Sequence, residues 1–393
     1  MNIFNSFDQN QMYVINAIKY VCINHNIKAY IVGGAVRDSI LGENIKDIDI
    51  CINENPKVVI DDLSNMQKYE YYQQFQTSTI KFNNGITIDL IRCRKETYER
   101  DGTLPEIEPS NIEDDLYRRD FTINSLAYDI VNNRIIDLYN GIKDLKNKQL
   151  KKIHINSYME DPTRVFRGIR YSTRYGFELY DKEEIQECIK SKIIQSISFD
   201  RIIKELDSMC REKKWIENFI LCNQLGLLEL DNKYLGIKSQ LESYDNINLR
   251  ILSVFYALKN DKYIDVFISN SFLDKDLKKS MKYYYFTRDK MIDLLMKPMD
   301  NYEMYQILKS LDLYGLILCG WNNKVSYKVI NYFYNLKDIR LDSDGRFLNS
   351  LGISSGRNMG KILKNILKLK LNMGIKDDKK YLLCNLGEIT KCL

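Results

Sequence analysis

The sequence predicts an α+β head, a small mixed sheet with helices, followed by an all-α remainder. Three observations carry this. Pro56, Pro105, Pro109 and Pro162 fall in the first part and only Pro298 follows, so helices can run uninterrupted beyond residue 162. Before that point strand signals recur, at Asp47 to Ile52, Ser78 to Phe82 and Ile86 to Arg92. After it, helical spacing dominates. At 393 residues the chain also exceeds what one hydrophobic core organises, roughly 100–200 residues, so several domains are expected.

Taken in order, Gln9 to Asn24 places Met12, Ile15, Ala17, Ile18, Val21 and Cys22 at helical spacing. Lys28 to Val32 reads as a short strand and Ala35 to Leu41 as a second helix. Asp47 to Ile52 alternates acidic and apolar residues, as a half-buried strand does. Asn83-Asn84-Gly85 between two further strand runs is a hairpin turn. The charged stretch from Arg94 to Asp115, interrupted by Asp101-Gly102, Pro105 and Pro109, is expected to be a mobile loop. A helix over Thr122 to Asp129, a strand over Arg134 to Leu138 and a turn at Tyr139-Asn140-Gly141 are expected to close the head.

Composition narrows the chemistry. The nine cysteines are odd in number, scattered and never spaced C-x-x-C, which argues against disulfide frameworks and zinc ribbons. With His25 and His154 the only histidines, a three-imidazole centre is excluded and the chemistry falls to carboxylates, arginines and lysines. A net charge of +5 permits an anionic partner. No apolar run approaches the ~18 residues of a membrane span, and the first residues lack a cationic segment followed by an apolar one, so a cytoplasmic protein without a membrane partner is expected.

Tyr30-Ile31-Val32-Gly33-Gly34-Ala35-Val36-Arg37-Asp38 reads as a strand feeding a Gly-Gly turn that opens a helix. Such a turn lets backbone N–H groups approach a phosphate, with Arg37 adding a charge; the plainer reading is a tight turn with Arg37 solvated. Ten residues on, Asp47 and Asp49 share one face of a strand. Two carboxylates that close together suit a cation, and Mg²⁺ takes one or two carboxylates while completing its shell with water and phosphate oxygens. A solvated strand face is the alternative. Asp89, on a neighbouring strand, is a candidate third carboxylate.

These residues resemble a known family. Gly33-Gly34-x-x-Arg37-Asp38 followed by Asp47-x-Asp49 is similar to the signature of polymerase-β-type nucleotidyltransferases. Arg118-Arg119-Asp120-Phe121-Thr122-Ile123-Asn124 resembles a second motif, that of the class II tRNA nucleotidyltransferase (CCA-adding enzyme) and bacterial poly(A) polymerase group. Glu160-Asp161-Pro162-Thr163-Arg164-Val165-Phe166-Arg167-Gly168-Ile169-Arg170, ending in Tyr175-Gly176-Phe177, resembles a third. The match spans about the first 210 residues, and Arg346 to Leu367 resembles the family's tail more loosely. The resemblance implies a nucleotidyltransferase head over 1–138, a helical neck for base recognition over 139–205, a helical body over 206–280 and a tRNA-binding tail over 281–393.

The implied activity is template-independent addition of CCA to the tRNA 3′ end from CTP and ATP, with Mg²⁺ as cofactor and pyrophosphate released. Asp47 and Asp49 would hold two Mg²⁺ ions, one activating the primer 3′-hydroxyl and one holding the triphosphate, with Asp89 as a further catalytic carboxylate. Gly33, Gly34 and Arg37 would contact the nucleotide, as would Arg119 and Asn124, and Asp120 would select ribose. Asp120 could equally cap a helix, and Asn124 be structural. Asp161 and Arg164 would read the base and Arg167 and Arg170 lie nearer the phosphates, although Asp161 is also well placed as an N-cap before Pro162. Arg201 and Glu205 are expected to pair at i, i+4. Lys361, Lys364 and Lys368 line one face of an amphipathic helix, either solvated or RNA-binding. Two rivals remain: a poly(A) polymerase or an A-adding enzyme on the same fold, and a non-catalytic RNA-binding protein. Arg94-x-Glu96 and the long loop to Pro109 resemble enzymes able to incorporate A, which disfavours CC-only addition.

Overall fold

The computed structural model describes residues 3–230, 247–259 and 273–391. They form two compact units, one within residues 1–238 and 257–260, the other within 239–256 and 261–393. Two stretches of the expected body, 231–246 and 260–272, lie outside the described residues, as does Cys392.

The first unit opens with α1 (Gln9–Asn24), started by a capping box in which Asp8 and Gln11 satisfy each other's backbone N–H groups. Val14, Ile15, Ile18, Val21 and Cys22 form its buried face. Then come β1 (Ala29–Val32), α2 (Gly34–Leu41), β2 (Ile48–Ile52), α3 (Pro56–Asp62), β3 (Met66–Tyr72), β4 (Thr77–Phe82) and β5 (Thr87–Arg92). A ribbon of β6 (Arg94–Thr97) and β7 (Glu106–Pro109) follows, then α4 (Ile112–Tyr117), β8 (Leu126–Asp129) and β9 (Arg134–Asp137). The main sheet has seven strands, in the order β3-β4-β5-β2-β1-β8-β9. Its neighbours are antiparallel except β2 and β5, which run parallel and set Asp49 beside Asp89. The core is therefore mixed, as expected, with β1 and β2 at its centre.

Two sequence expectations need correction here. Thr122 to Asp129 is not a helix: a single 3₁₀ turn over Thr122–Asn124 leads into β8. All four residues of β8 are buried between β1 and β9, so no wet face imposes a spacing of two. Arg94 to Asp115 is not an unpaired loop either. Polar residues pair across β6 and β7, Arg94 opposite Pro109 and Glu96 opposite Ile107, and Asn111 caps α4 through the Asp114 N–H at 2.9 Å. Pro109 is accommodated because this ribbon has two edges and no centre.

Beyond the sheet the first unit is helical, with α5 (Gly141–Asn147), α6 (Ser157–Glu160), α7 (Thr163–Tyr175), α8 (Lys182–Lys190), α9 (Phe199–Arg211) and α10 (Trp215–Leu225). α7 buries Val165, Phe166 and Ile169, each at most 1% exposed, and turns its arginines the other way. Gly168 fits closely there, since a Cβ would sit 3.1 Å from the Phe121 ring.

The second unit is helical throughout its described residues. Leu348, Ile362, Ile366 and Leu382 form one of its cores, and Lys370 is held by Asp342 and Asp378. Lys361, Lys364 and Lys368 lie exposed on its helix Arg357–Met373, and Lys368 is 3.4 Å from Asp300.

Candidate active site

The site begins where β1 turns into α2. Gly33 has φ +67° and ψ −122°, a conformation that residues with a side chain avoid, and its N–H donates to the Leu126 carbonyl at 2.9 Å. A Cβ on Gly33 would lie 2.6 Å from Arg119 Nη1, so the absent side chain makes room for a guanidinium. Arg37, on the first turn of α2, is only 5% exposed. Its Nε donates to Asp38 at 2.7 Å, its Nη1 donates to Asn124, and the Tyr175 ring lies 4.8 Å away. This arginine is a clamped part of the wall, not a solvated side chain.

Asp47 is exposed just before β2, and Asp49 is half-buried within it. Burial raises the Asp49 carboxyl; Arg119 pulls it back, while Asp89, Asp47 and Asp115 add to the rise. A carboxyl destabilised by desolvation and by neighbouring carboxylates is relieved by a cation, so the donor set fits a hard divalent ion such as Mg²⁺ that takes one or two carboxylates. Among the described residues no group of three or more Asp, Glu, His or Cys side chains has metal-holding geometry. Asp89 accepts from Thr79 Oγ1 at 2.6 Å and lines a smaller neighbouring cavity with Asp47 and Lys46.

Arg118 and Arg119 are both anchored on Asp115. Arg118 Nη2 donates to Oδ1 at 2.6 Å and Arg119 Nη2 to Oδ2 at 2.9 Å. Burial pushes Asp115 up, but Arg119 and Arg118 together bring it down to about 2, so it stays ionised and holds both guanidiniums. Arg118 also reaches Glu96 of the ribbon at 3.1 Å. Asp120 is buried and accepts from the Phe121 N–H and Asn124 Nδ2 on one oxygen and from Arg167 on the other.

Asp161, two residues ahead of α7, and Arg164, on its first turn, line the same space. Asp161 is not the N-cap of α7, a position that Pro162 takes; its Oδ1 accepts from the Thr163 N–H at 3.0 Å, and the residue lines the cleft. Arg164 is 4% exposed and donates to Ser157 and to the Arg118 carbonyl. Arg170 lies 3.5 Å from Glu205 and 3.7 Å from Glu212. The expected Arg201–Glu205 pair is therefore not formed: Arg201 turns to Asp161 at 2.6 Å. An exposed i, i+4 pair contributes only ~0.3–0.5 kcal/mol, and partly desolvated partners on other helices outcompete it.

These side chains surround one cleft of about 1260 Å³. That exceeds the ~300–1000 Å³ usual for a single small ligand and leaves room for a second reactant. Gly33, Gly34, Arg37, Asp47, Asp49, Arg119, Asp120, Asn124, Asp161, Arg164, Arg167 and Arg170 all line it, and Asp89 does not. Neither histidine does: His154 stacks on Tyr117 at 4.6 Å and His25 meets Asp62. Sequence reasoning missed Asp115, although its spacing of three and four before Arg118 and Arg119 is a helix-pair signal. It also missed Tyr171, a ring within 6 Å of Arg37, Arg167, Arg170 and Arg174, for which the sequence carries no signal.

A glycine turn at the end of a central strand, paired aspartates on the strand beside it and an arginine-lined helix form the arrangement that the resemblance to polymerase-β-type nucleotidyltransferases implies. Residues 29–151 match the family described as the poly A polymerase head domain. An A-adding tRNA nucleotidyltransferase of Aquifex aeolicus is 27% identical over 88% of this chain and 45% of its own. A CCA-adding enzyme of Lactobacillus helveticus is 26% identical over 90% and 92%. The chain spans about half the length of the A-adding relatives it matches. A structure of the Thermotoga maritima CCA-adding enzyme complexed with tRNA superposes with a TM-score of 0.75 at 21% identity, over 98% of this chain and 97% of that one, and so shares the fold. No described helix is long and apolar enough to cross a membrane.

Proposed function

We propose that this protein adds CCA to the 3′ end of tRNA without a nucleic-acid template, using CTP and ATP. The observation that carries the reading is that Asp161 and Arg164 line the same cleft as Asp47, Asp49 and the Gly33–Gly34 turn, so that a base-reading pair and a triphosphate site would share one cavity. Cytosine and adenine each offer an amino donor beside a ring-nitrogen acceptor, whereas uracil and guanine reverse that polarity. A carboxylate that only accepts and a guanidinium that only donates therefore favour C and A.

In the reaction the primer 3′-oxygen attacks the α-phosphorus, one P–O bond forms, and the bond to pyrophosphate breaks. Asp47 and Asp49 would hold Mg²⁺, which when bound supplies charge stabilisation at the triphosphate. Arg119 and Arg37 present positive charge beside the glycine turn, and the Asp120–Arg167–Asn124 cluster is assigned to the ribose. The head over 1–138, neck over 139–205, body over 206–280 and tail over 281–393 would divide catalysis, base choice and tRNA contact.

The test uses tRNA transcripts ending at the discriminator base, after one C and after two, with each NTP alone and with CTP and ATP together. C should be added to the first two and A only to the third, all requiring a divalent cation. Incorporation of U or G at comparable rates would overturn the reading. A-addition alone is the second reading, favoured by the A-adding relatives. It predicts A on the transcript ending in CC and no C on the others.

A further inference from the structure

Arg201 sits on α9, behind the cleft and outside its lining. Its guanidinium reaches two pieces of chain at once: Nη2 donates to Asp161 Oδ1 at 2.6 Å and Nη1 donates to the Gly102 carbonyl at 3.1 Å, at the tip of the β6–β7 ribbon. Gly102 is seated tightly. It has φ +74°, its N–H donates to the Met159 and Glu160 carbonyls, and a Cβ would fall 1.9 Å from Ser196 Oγ.

At Asp161 the donors are unevenly shared. Oδ1 accepts from Arg201 Nη2, from the Thr163 N–H at 3.0 Å and from Thr163 Oγ1 at 2.6 Å, while Oδ2 meets no donor among the described residues. Three donors on one oxygen fix the rotation of a carboxylate, and the other oxygen is then held in one direction. A carboxylate free to turn would lose that direction and take up water.

We propose that Arg201 is a positioning residue for base choice: it locks Asp161 Oδ1 to the ribbon tip, so that Oδ2 is the fixed acceptor for the amino group of cytosine or adenine. The inference rests on the reading of Asp161 as a base reader. Arg201 touches no nucleotide itself. Its effect falls on discrimination between nucleotides and not on the tRNA or the chemical step.

The experiment compares Arg201→Met and Asp161→Ala in the full chain, measuring kcat and KM for CTP, ATP, UTP and GTP on the same transcripts, with thermal unfolding of each variant. Arg201→Met should lower the CTP-to-UTP ratio of kcat/KM about tenfold, mostly through the KM of the nucleotide, with the KM for tRNA unchanged. Wild-type selectivity in a folded Arg201→Met variant, alongside lost selectivity in Asp161→Ala, would overturn the inference and leave the base-reading assignment standing. Wild-type selectivity in Asp161→Ala would overturn both. Should Arg201→Met fail to fold, Arg201→Gln, which keeps a donor without the charge, carries the same test: about a threefold loss of the ratio supports the proposal and an unchanged ratio overturns it.

Discussion

Replacing Gly33 with alanine should damage the site through two separable effects. The backbone at φ +67° and ψ −122° is nearly closed to a residue with a Cβ, a strain of about 1–3 kcal/mol. The new methyl carbon would also lie 2.6 Å from Arg119 Nη1, closer than non-bonded atoms sit, so the guanidinium must leave. Leaving breaks its 2.9 Å bond to the buried Asp115, and a hydrogen bond to a charged group contributes about 1.5–3 kcal/mol. Together these should lower the melting temperature of the first unit by about 5–24 °C, at ~2–4 °C per kcal/mol for its size. On the proposed reading of Arg119 as a contact to the triphosphate, displacing it should slow nucleotide incorporation ~10²–10³-fold. Gly34→Ala is the control: its nearest neighbour would be Arg37 Nη2 at 3.4 Å, an ordinary contact, and its melting temperature should move by about 1–2 °C at most. Calorimetry and primer extension on both variants decide the matter. A Gly33→Ala protein that melts and reacts as the wild type does would refute the reasoning.

Three further outcomes are expected. Asp49→Asn should lose about 10³-fold in rate while melting no lower than wild type without divalent cation, because burial and neighbouring carboxylates already disfavour the charged Asp49; a fall in melting temperature with the rate retained would contradict the metal assignment. Burial first, then Arg164 and Lys152, lower His154 to about 4, below the ~6.5 of the unfolded chain, so its contribution is complete above pH 6.5 and declines as pH falls toward 4. Acidification from pH 7 to 5 should cost on the order of 1–2 kcal/mol, and proton NMR, with only two imidazoles to assign, should find His154 still neutral at pH 5. A Lys361→Ala/Lys364→Ala/Lys368→Ala variant should raise the KM for tRNA and reduce the salt slope by about 2, less than three full charges because Lys368 is shared with Asp300, and an identical slope would mark a merely solvated face.

Much of the head was legible because its elements are amphipathic. α1 and the β4–β5 hairpin each have one buried face and a spacing that says so. β8 misled for the opposite reason: a strand buried on both faces has no alternation, and its residues pass for a helix. β3 gave no signal because it is an exposed edge whose tyrosines and charges cover little core. Residue types at fixed spacing singled out Asp47, Asp49 and the α7 arginines, which line one cleft, since local geometry sets their common face. What no local rule supplies is the long-range partner. Arg201 meets Asp161, Arg167 meets Asp120 and Arg37 meets Tyr175 only after helices and sheet have packed.

The strand pairing also sets when a growing chain acquires its chemistry. Gly33 follows a strand whose one partner, β2, emerges soon after it, but whose other partner, β8, ends at Asp129, and Asp120 is paired among the described residues with Arg167. A nascent chain that has already displayed the glycine turn and both aspartates thus holds no nucleotide site until translation has passed the first turns of α7. Contacts of such long sequence separation also form slowly. Ribosome-bound fragments cut short at residue 110 should therefore bind no nucleoside triphosphate, and extension past residue 175 should bring binding in a single step.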